Sequence, residues 1–405
     1  MKKLIRKIIP ESLVIALWHK PRAIFFAMWY GFPAKKLTVI AVAGTKGKTS
    51  TAYFISHVLE AVGIKNALVC TAAINIAGEE KMNTIKMTTP PAEFLQKFLH
   101  EAVSKKCTHV VLEVSSHALL QHRVWGIPFS VVVLTNLMSD HLEYHPTAEH
   151  YRNAHTKLIT PFLKKLILNG DDQHLSAFFN LSVPKDVFRQ SDTLSLELRA
   201  SGVPMMSHFN ASNMLATYYA VRALGIPHEK IVSALKMLHG APGRLEKINE
   251  GQSFTVFVDY AHSVDSLTNF FEATTSEAQG KRIVVFGACG DRDPLQRPIM
   301  GEILDRYADI VIVTNDDPYS ENPEHIASQL MVGIVLKTWD DTAWKVLDRK
   351  EAITKALSLA RAGDVVCILG KGAEQWQVFK DRKIPWDDRR VVRDIFTSMK
   401  SHGIL

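Results

Sequence analysis

The segment Val42-Ala-Gly-Thr-Lys-Gly-Lys-Thr-Ser50 carries the residues of this 405-residue sequence best suited to chemistry. It follows the apolar run 37–42 and leads into a helix-like stretch, 51–62. A strand, a Gly-rich turn and a helix N-terminus in succession present consecutive backbone N–H groups and the positive end of the helix dipole, which together surround an anion. In such a loop Gly44, Thr45, Lys46, Gly47 and Ser50 cradle phosphate, Lys48 reaches the β- and γ-phosphates of a nucleotide, and the Thr49 hydroxyl ligates Mg2+. The general eight-residue pattern begins with Gly, and Val42 stands there, so only its Gly47-Lys48-Thr49 end is matched. That departure points to a subclass. The alternative is a tight strand-to-helix turn that contains Gly-Lys-Thr.

Further chemistry lies where apolar runs end. His109-Val-Val-Leu-Glu113 is a buried-strand pattern closed by a carboxylate, and open α/β sheets bind ligands at the carboxyl ends of their strands. Glu113 is therefore a candidate second ligand for the Mg2+ on Thr49. Val131-Val-Val-Leu-Thr-Asn136 repeats the pattern, and Asp140-His141 follows, with His141 a candidate ligand for a second ion. Each alone is as readily a surface polar residue; at successive strand ends facing one phosphate loop they define a site.

The elements that must position these residues form two series. β-branched runs at 37–42, 67–71, 109–114, 130–135 and 165–168 alternate with helical patterns. A second series, 254–258, 282–286, 310–313 and 365–369, begins past Gly240-Ala-Pro-Gly243. The rhythm is that of βαβ units, so the fold class is α/β with mostly parallel sheets. The expected division is an arm over 1–34, a central ATP-binding domain over 35–240 and a second α/β domain over 241–405. No low-complexity linker or short repeat interrupts it.

With 47% hydrophobic and 22% charged residues the chain is globular, not disordered. A net charge of +7 suits polyanions, but no Lys/Arg run with interleaved aromatics occurs, which favours nucleotides over nucleic acid. Cys70, Cys107, Cys289 and Cys367 show no CxxC spacing, so neither a disulfide framework nor a zinc site is expected, and a reducing cytoplasm fits. In the first 33 residues, a basic start and two apolar stretches, 13–18 and 23–32, flank His19-Lys20-Pro21-Arg22. Neither stretch is long enough to span a bilayer, and no small-residue cleavage site follows. Two readings stay open: a basic amphipathic hairpin at the inner membrane face, with Trp18, Trp29 and Tyr30 at the interface, or a helical arm packed on the main domain.

Several motifs, in order from about residue 38 to 390, carry a resemblance. They are Gly44-Thr-Lys-Gly-Lys-Thr-Ser50, Thr88-Thr-Pro90, Glu113-Val-Ser-Ser-His117 with Gln121-His-Arg123, and Thr135-Asn-Leu-Met-Ser-Asp-His141-Leu-Glu-Tyr-His145. Phe209-Asn-Ala-Ser-Asn213, Ala241-Pro-Gly-Arg-Leu-Glu246, Val258-Asp-Tyr-Ala-His262, Gly290-Asp-Arg-Asp293 and Gly370-Lys-Gly372 continue the series. The chain resembles the Mur ligases, and the Thr-Thr-Pro and Glu-Val-Ser-Ser-His signatures resemble the MurE branch, which adds the third residue of the peptidoglycan stem peptide. The resemblance implies a central phosphate-loop ATPase domain and a Rossmann-like C-terminal domain. It also implies an ATP- and Mg2+-dependent amide ligation, in which the γ-phosphoryl goes to the D-Glu side chain of UDP-N-acetylmuramoyl-L-Ala-D-Glu and an amino acid's amine attacks the acyl phosphate.

By the same resemblance Lys48, His141 and Arg292 serve phosphoryl transfer, with Thr49, Glu113 and His141 as metal ligands. Asn136, Asn210, Asn213, Arg244, Asp259, His262 and Arg292 surround the nucleotide, Asp259 accepting ribose hydroxyls. Thr88, Thr89, Ser115, Ser116, Gln121 and Arg123 face the muramoyl peptide, and Asp316, Asp317, Tyr319, Gly370 and Glu374 face the amino acid.

Four departures qualify this. The family's Tyr-x-x-Ala-Lys, whose lysine is carbamylated, reads Tyr151-Arg-Asn-Ala-His155 here, and an imidazole forms no carbamate; His155 would position groups or ligate a metal poorly, with Mn2+ suiting it better. Asp-Asn-Pro-Arg, whose Arg grips the distal carboxylate of diaminopimelate, reads Asp316-Asp-Pro-Tyr319, so with Glu374 the pocket is acidic and suits lysine or ornithine. Ala373 stands where the family has His. The family's N-terminal domain, which grips the uridine diphosphate, is matched here only by the basic arm, so weak UDP binding or a lipid-linked acceptor is expected. Two other functions remain: a folylpolyglutamate-synthase-like ligase, or a non-catalytic nucleotide-binding regulator of a complete ligase.

Overall fold

The structure, a computed structural model, describes residues 11–401 except 86, 139–143, 204–207, 239 and 278. The chain divides into two compact units, Met1–His239 and Gly240–Leu405, so the arm belongs to the first unit rather than forming a body of its own.

The first unit is built on an eight-stranded sheet of order β4-β3-β2-β5-β1-β6-β7-β8. Its strands are β1 (Thr38–Ala43), β2 (Asn66–Val69), β3 (Ala73–Ile76), β4 (Glu79–Met82), β5 (His109–Glu113), β6 (Phe129–Leu134), β7 (Lys165–Asn169) and β8 (Lys185–Phe188). From β2 to β8 all pairings are parallel, and β3 and β4 add an antiparallel edge. The central strand β1, Thr-Val-Ile-Ala-Val-Ala, is apolar on both faces because both are covered. Val39, Ala41 and Ala43 share a core with Leu95, Phe98 and Leu99 of the Ala92–Ser104 helix. The Lys48–Ala61 helix lies against β1, β2 and β5 and packs on the His208–Arg222 helix. The chain leaves β1 toward β2 and leaves β6 toward β7, so the strand order reverses between β1 and β6. Ligands bind at such a point in parallel sheets.

The arm is helical from Glu11 to Trp29, with a π-helical turn over Ile15–His19. Ala23 and Ala27 are fully buried and Arg22 donates to Glu93 Oε1 at 2.6 Å, which seats the Lys20–Trp29 helix on the Ala92–Ser104 helix. Among the described residues no helix is long and apolar enough to cross a membrane.

The second unit has a six-stranded sheet of order β13-β12-β11-β14-β10-β9. The strands are β9 (Glu246–Ile248), β10 (Thr255–Asp259), β11 (Arg282–Phe286), β12 (Ile310–Val313), β13 (Ala343–Lys345) and β14 (Val365–Leu369); a hairpin of β15 (Trp376–Val378) and β16 (Lys383–Pro385) follows. All pairings in the larger sheet are parallel except β9 with β10. The period of two in a strand sends alternate residues to opposite faces. Phe257, Val284, Phe286 and Val311 accordingly join a core with Leu267, Phe271 and Leu304, whereas Val256, Val258, Ile283 and Val285 join another with Ile353, Ala356 and Phe396.

A fully buried ion pair ties this unit together. Arg349 donates to both oxygens of Asp388 (2.8 and 2.7 Å) and to the carbonyls of Leu369 and Asn315. It thus links the Arg349–Leu359 helix, the end of β14 and the start of the Asp388–Ser401 helix. Replacing Arg349 with Met strands a buried carboxylate, and a loss of about 3–5 kcal/mol is expected in urea denaturation. The double variant R349M/D388L should be more stable than R349M alone.

Candidate active site

The phosphate loop leans on the end of β6. Gly44 has φ +136°, and a Cβ there would collide with Thr135 Oγ1 and lie 2.7 Å from Asn136 O. Thr45 N donates to Asn136 O and Lys46 N to Asn136 Oδ1, both at 2.8 Å. Thr135 Oγ1 and Asn136 Nδ2 return hydrogen bonds to Lys46 O (2.6 and 3.1 Å). Gly47, with φ +81°, caps the Lys48–Ala61 helix, whose first N–H groups lack intrahelical partners. Thr45, Lys46 and Asn136, expected as nucleotide contacts, use these groups to hold the loop's shape. Lys48 Nζ donates to Thr45 O at 2.8 Å, folded over its own loop.

Beside the helix start, Thr49 Oγ1 donates to Glu113 Oε1 at 3.0 Å, and Glu113 Oε2 accepts from Thr71 N at 2.6 Å. Both side chains are buried. A hydroxyl and a carboxylate oxygen, paired beside a phosphate loop, fit a hard divalent cation such as Mg2+. The other expected metal ligand, His141, lies outside the described residues.

The expected acceptor residues cluster beyond β5. Thr89 Oγ1 donates to Glu113 O (2.9 Å) and accepts from Ser115 N (2.9 Å), while Thr88 and Thr71 pair through their hydroxyls (3.1 Å). Arg123 donates to Thr89 O at 2.7 Å and, through Nε and Nη2, to Gln121 Oε1. Ser116 Oγ pairs with His145 Nε2 at 2.9 Å, and His145 Nδ1 with His150 Nδ1 at 3.0 Å. His145 is fully buried in a ring cluster with His117, Tyr144 and Tyr151. Sequence reasoning gave His145 no role, although it closes one of the motifs quoted above. Tyr151 was likewise only a pattern residue, yet its hydroxyl pairs with Thr45 Oγ1 (3.0 Å) and joins its helix to the loop.

His155 is fully buried one turn further on. Its Nδ1 pairs with Tyr151 O at 3.0 Å, and because a carbonyl only accepts, Nδ1 carries the proton and Nε2 the lone pair. That Nε2 has no hydrogen-bond partner among the described residues. Burial pushes the imidazole down to about 4, with the Tyr151 carbonyl opposing and Lys48 and His145 assisting. His155 is thus a neutral acceptor. Asn213 is buried between helices, its Oδ1 accepting at 3.2 Å from Thr51 Oγ1 in the first turn of the helix that follows the phosphate loop. Asn210, one turn earlier on the same helix, is half-buried.

In the second unit Asp259 ends β10, and its oxygens accept from Leu245 N and Ala261 N, each at 2.7 Å. Burial raises its carboxyl despite Arg244 and these two donors. It thereby shapes the loop before β9 and the turn after β10. Arg244 lies 4.6 Å over the Tyr260 ring, His262 Nδ1 pairs with Tyr260 O at 2.6 Å, and Arg292 is exposed.

The acidic pocket needs a larger correction. Asp316, Asp317 and Glu374 converge, but the ammonium of Lys371 already sits among them at 3.2, 2.9 and 2.9 Å. Burial opposes that charge, and the three carboxylates hold it well above its ordinary value. Three acids against one base leave a net charge near −2, and Asp316 Oδ2 remains buried without a partner among the described residues. Gly370, at φ +112°, permits this, because a Cβ there would collide with Asp316 Oδ2. Tyr319 OH reaches Asp317 Oδ2 at 3.4 Å.

A phosphate loop on one parallel α/β unit, followed by a second such unit, is the build of the Mur ligases, and the family models agree: the Mur ligase middle domain matches residues 42–189, and the Mur ligase, glutamate ligase domain matches 243–372. The chain belongs to the Mur ligase family. It is 39% identical over 397 residues to the UDP-N-acetylmuramoyl-L-alanyl-D-glutamate--2,6-diaminopimelate ligase of Thermosynechococcus vestitus, covering 91% of this chain and 78% of that protein. A solved structure of a ligase of that name is 29% identical with a TM-score of 0.63, over 90% of this chain and 79% of that one. A folylpolyglutamate synthase from Mycobacterium tuberculosis, solved with ADP and AMPPCP, shares the fold at 17% identity, with a TM-score of 0.68 over 86% of this chain and 92% of that one.

Two outcomes are expected. An unfolded imidazole titrates near its ordinary value while native His155 stays neutral to about 4, so the stability this burial preserves is full above pH 6.5 and is lost as pH falls toward 4. The loss is roughly 3 kcal/mol, and in urea denaturation across this range H155Q should flatten the slope. Replacing Lys371 with Met leaves the buried acids unpaired, at a cost of about 3–5 kcal/mol. Its thermal midpoint should fall in a calorimetric scan, and D316N in the same background should restore part of the loss.

Proposed function

We propose that this protein is an ATP-dependent ligase that joins an amino acid to the D-Glu side chain of UDP-N-acetylmuramoyl-L-Ala-D-Glu, as the third stem-peptide residue. The observation that carries this is the proximity of two machineries on β5: Glu113 pairs with Thr49 of the phosphate loop, and its own carbonyl binds Thr89, the hub of the acceptor cluster. This proximity supports a phosphoryl donor and a carboxylate acceptor held side by side. The names of the relatives supply the identity of the acceptor.

In this reading the helix start after Gly47 and Lys48 carry the phosphate charge. Thr49 and Glu113 would hold Mg2+, which neutralises charge on the phosphate oxygens. Arg123, with Thr89 and Ser115, orients the acceptor, whose carboxylate oxygen attacks the γ-phosphorus and releases ADP. The amine of the amino acid then attacks the acyl carbon and releases phosphate. His141 and Arg292 are proposed to assist the transfer, and His155 to position groups through Nε2. Asp316, Asp317, Tyr319 and Glu374 are proposed to receive the amino acid, their residual negative charge favouring a side chain that carries an amine. Diaminopimelate, which the relatives' names specify, has one, as have lysine and ornithine. The proposed setting is the cytoplasm, where ATP is abundant. The folylpolyglutamate reading rests on fold alone, and a regulator without catalysis has no need of the Thr49–Glu113 pair.

Phosphate release from ATP and Mg2+ should require both the muramoyl dipeptide and an amino acid, and mass spectrometry should find the matching tripeptide. Offering diaminopimelate, lysine and ornithine separately names the substrate. E113Q should lower kcat by about 10²-fold or more, as loss of a charge-stabilising group does. Silence with all three amino acids in a protein that binds ATP would refute the assignment.

A further inference from the structure

The net charge of this protein lies in one stretch of its sequence. Eight of its 48 Lys and Arg, but only one of its 41 Asp and Glu, lie in residues 1–36: Lys2, Lys3, Arg6 and Lys7 precede the arm helix, Lys20, Arg22, Lys35 and Lys36 lie along or after it, and Glu11 is the acid. That segment alone carries +7, and the other 369 residues hold 40 charges of each sign.

The arm helix is also inverted. It buries Ala23 and Ala27 against its own unit and turns its large apolar side chains to water. Leu17 is 72% exposed and Trp29 71%, and Trp18, Phe25 and Met28 are each more than half exposed. Leu17, Pro21, Phe25 and then Met28 and Trp29 follow at steps of three and four, which is one helix face. The Phe25 and Trp29 rings stack at 5.8 Å, and the Arg22 guanidinium covers Trp18 at 5.5 Å. A contiguous exposed patch of this kind marks a contact surface. Charge complementarity selects its occupant: a surface that is anionic outside and apolar just beneath is a lipid bilayer with acidic headgroups. The helix does not cross it, being too short and too charged.

We propose that the described arm, residues 11–36, docks this protein on the anionic face of a lipid bilayer. The aromatic face of the 11–29 helix sits at the boundary of headgroups and acyl chains, and Lys20, Lys35 and Lys36 meet the lipid phosphates. The proposal is independent of the ligase reading.

The test is co-sedimentation of the full chain with vesicles of phosphatidylcholine, alone or with about one third phosphatidylglycerol. Binding to the anionic vesicles should be at least roughly ten-fold tighter than to the neutral ones and should weaken with salt. W18S/F25S/W29S should lower it about ten-fold or more, with the thermal midpoint and ATP turnover unchanged because these rings face solvent. K20Q/K35Q/K36Q should lower binding to the anionic vesicles only. No preference for anionic vesicles, or binding that survives the triple aromatic substitution, overturns the proposal. A lipid-free dimer that dissociates in the aromatic variant also overturns it, since a second copy would then cover the face.

Discussion

The first unit depends on one close approach, that of Gly44 to the end of β6. A loop that binds phosphate must aim backbone N–H groups at an anion, and it keeps that shape only if its other polar groups are satisfied. Thr135 and Asn136 supply three side-chain contacts and one backbone contact to Thr45 and Lys46. They come near enough only because residue 44 has no Cβ. β6 thereby lends its end to the loop of β1, and the adjacent strand β5 brings Glu113 to Thr49. Tyr151 fastens the same loop from outside the sheet. The phosphate site is thus the junction of three parallel strands, and it forms only when their register is set.

The second unit is governed by buried charge. Arg349 with Asp388, and Lys371 with Asp316, Asp317 and Glu374, occupy positions at the carboxyl ends of β12 and β14. Such pairs contribute little net stability but cost much when broken, so they act as fixed joints between loops that packing alone would leave loose. Lys371 also sets the character of the pocket. With it, three carboxylates form a compact, partly neutralised cluster; without it they would repel one another.

The arm obeys the opposite logic to an ordinary surface helix. Small residues face inward because the helix lies close against its neighbour, and Gly126 and Ala27 approach where no larger side chain would fit. The bulky residues have nowhere to go but outward. Hydropathy registers the apolar content of this stretch, but which face carries it depends on where Ala23 and Ala27 find a partner.

The nine strands anticipated from apolar, β-branched runs all form, most within a residue or two of the expected limits, because a strand covered on both faces leaves an unbroken apolar signature. Edge elements such as β4, Glu-Glu-Lys-Met, and the β15 and β16 hairpin were not legible, since an exposed strand carries no such signature. The phosphate loop and the Thr49 and Glu113 pair could be read from motif and strand-end position. The partner of each side chain could not. Asn213 reads as a nucleotide contact and pairs with Thr51 of the helix that follows the phosphate loop; Asp316, Asp317 and Glu374 read as an open acidic pocket and hold Lys371; His145 and Tyr151 stand in quoted motifs without a role of their own. Local sequence determined which elements form and which residue types stand at their ends, because backbone propensity and burial act within a few residues. Which donor meets which acceptor was decided only by the tertiary structure, because those contacts join residues tens of positions apart and depend on strand order and register that no local pattern encodes.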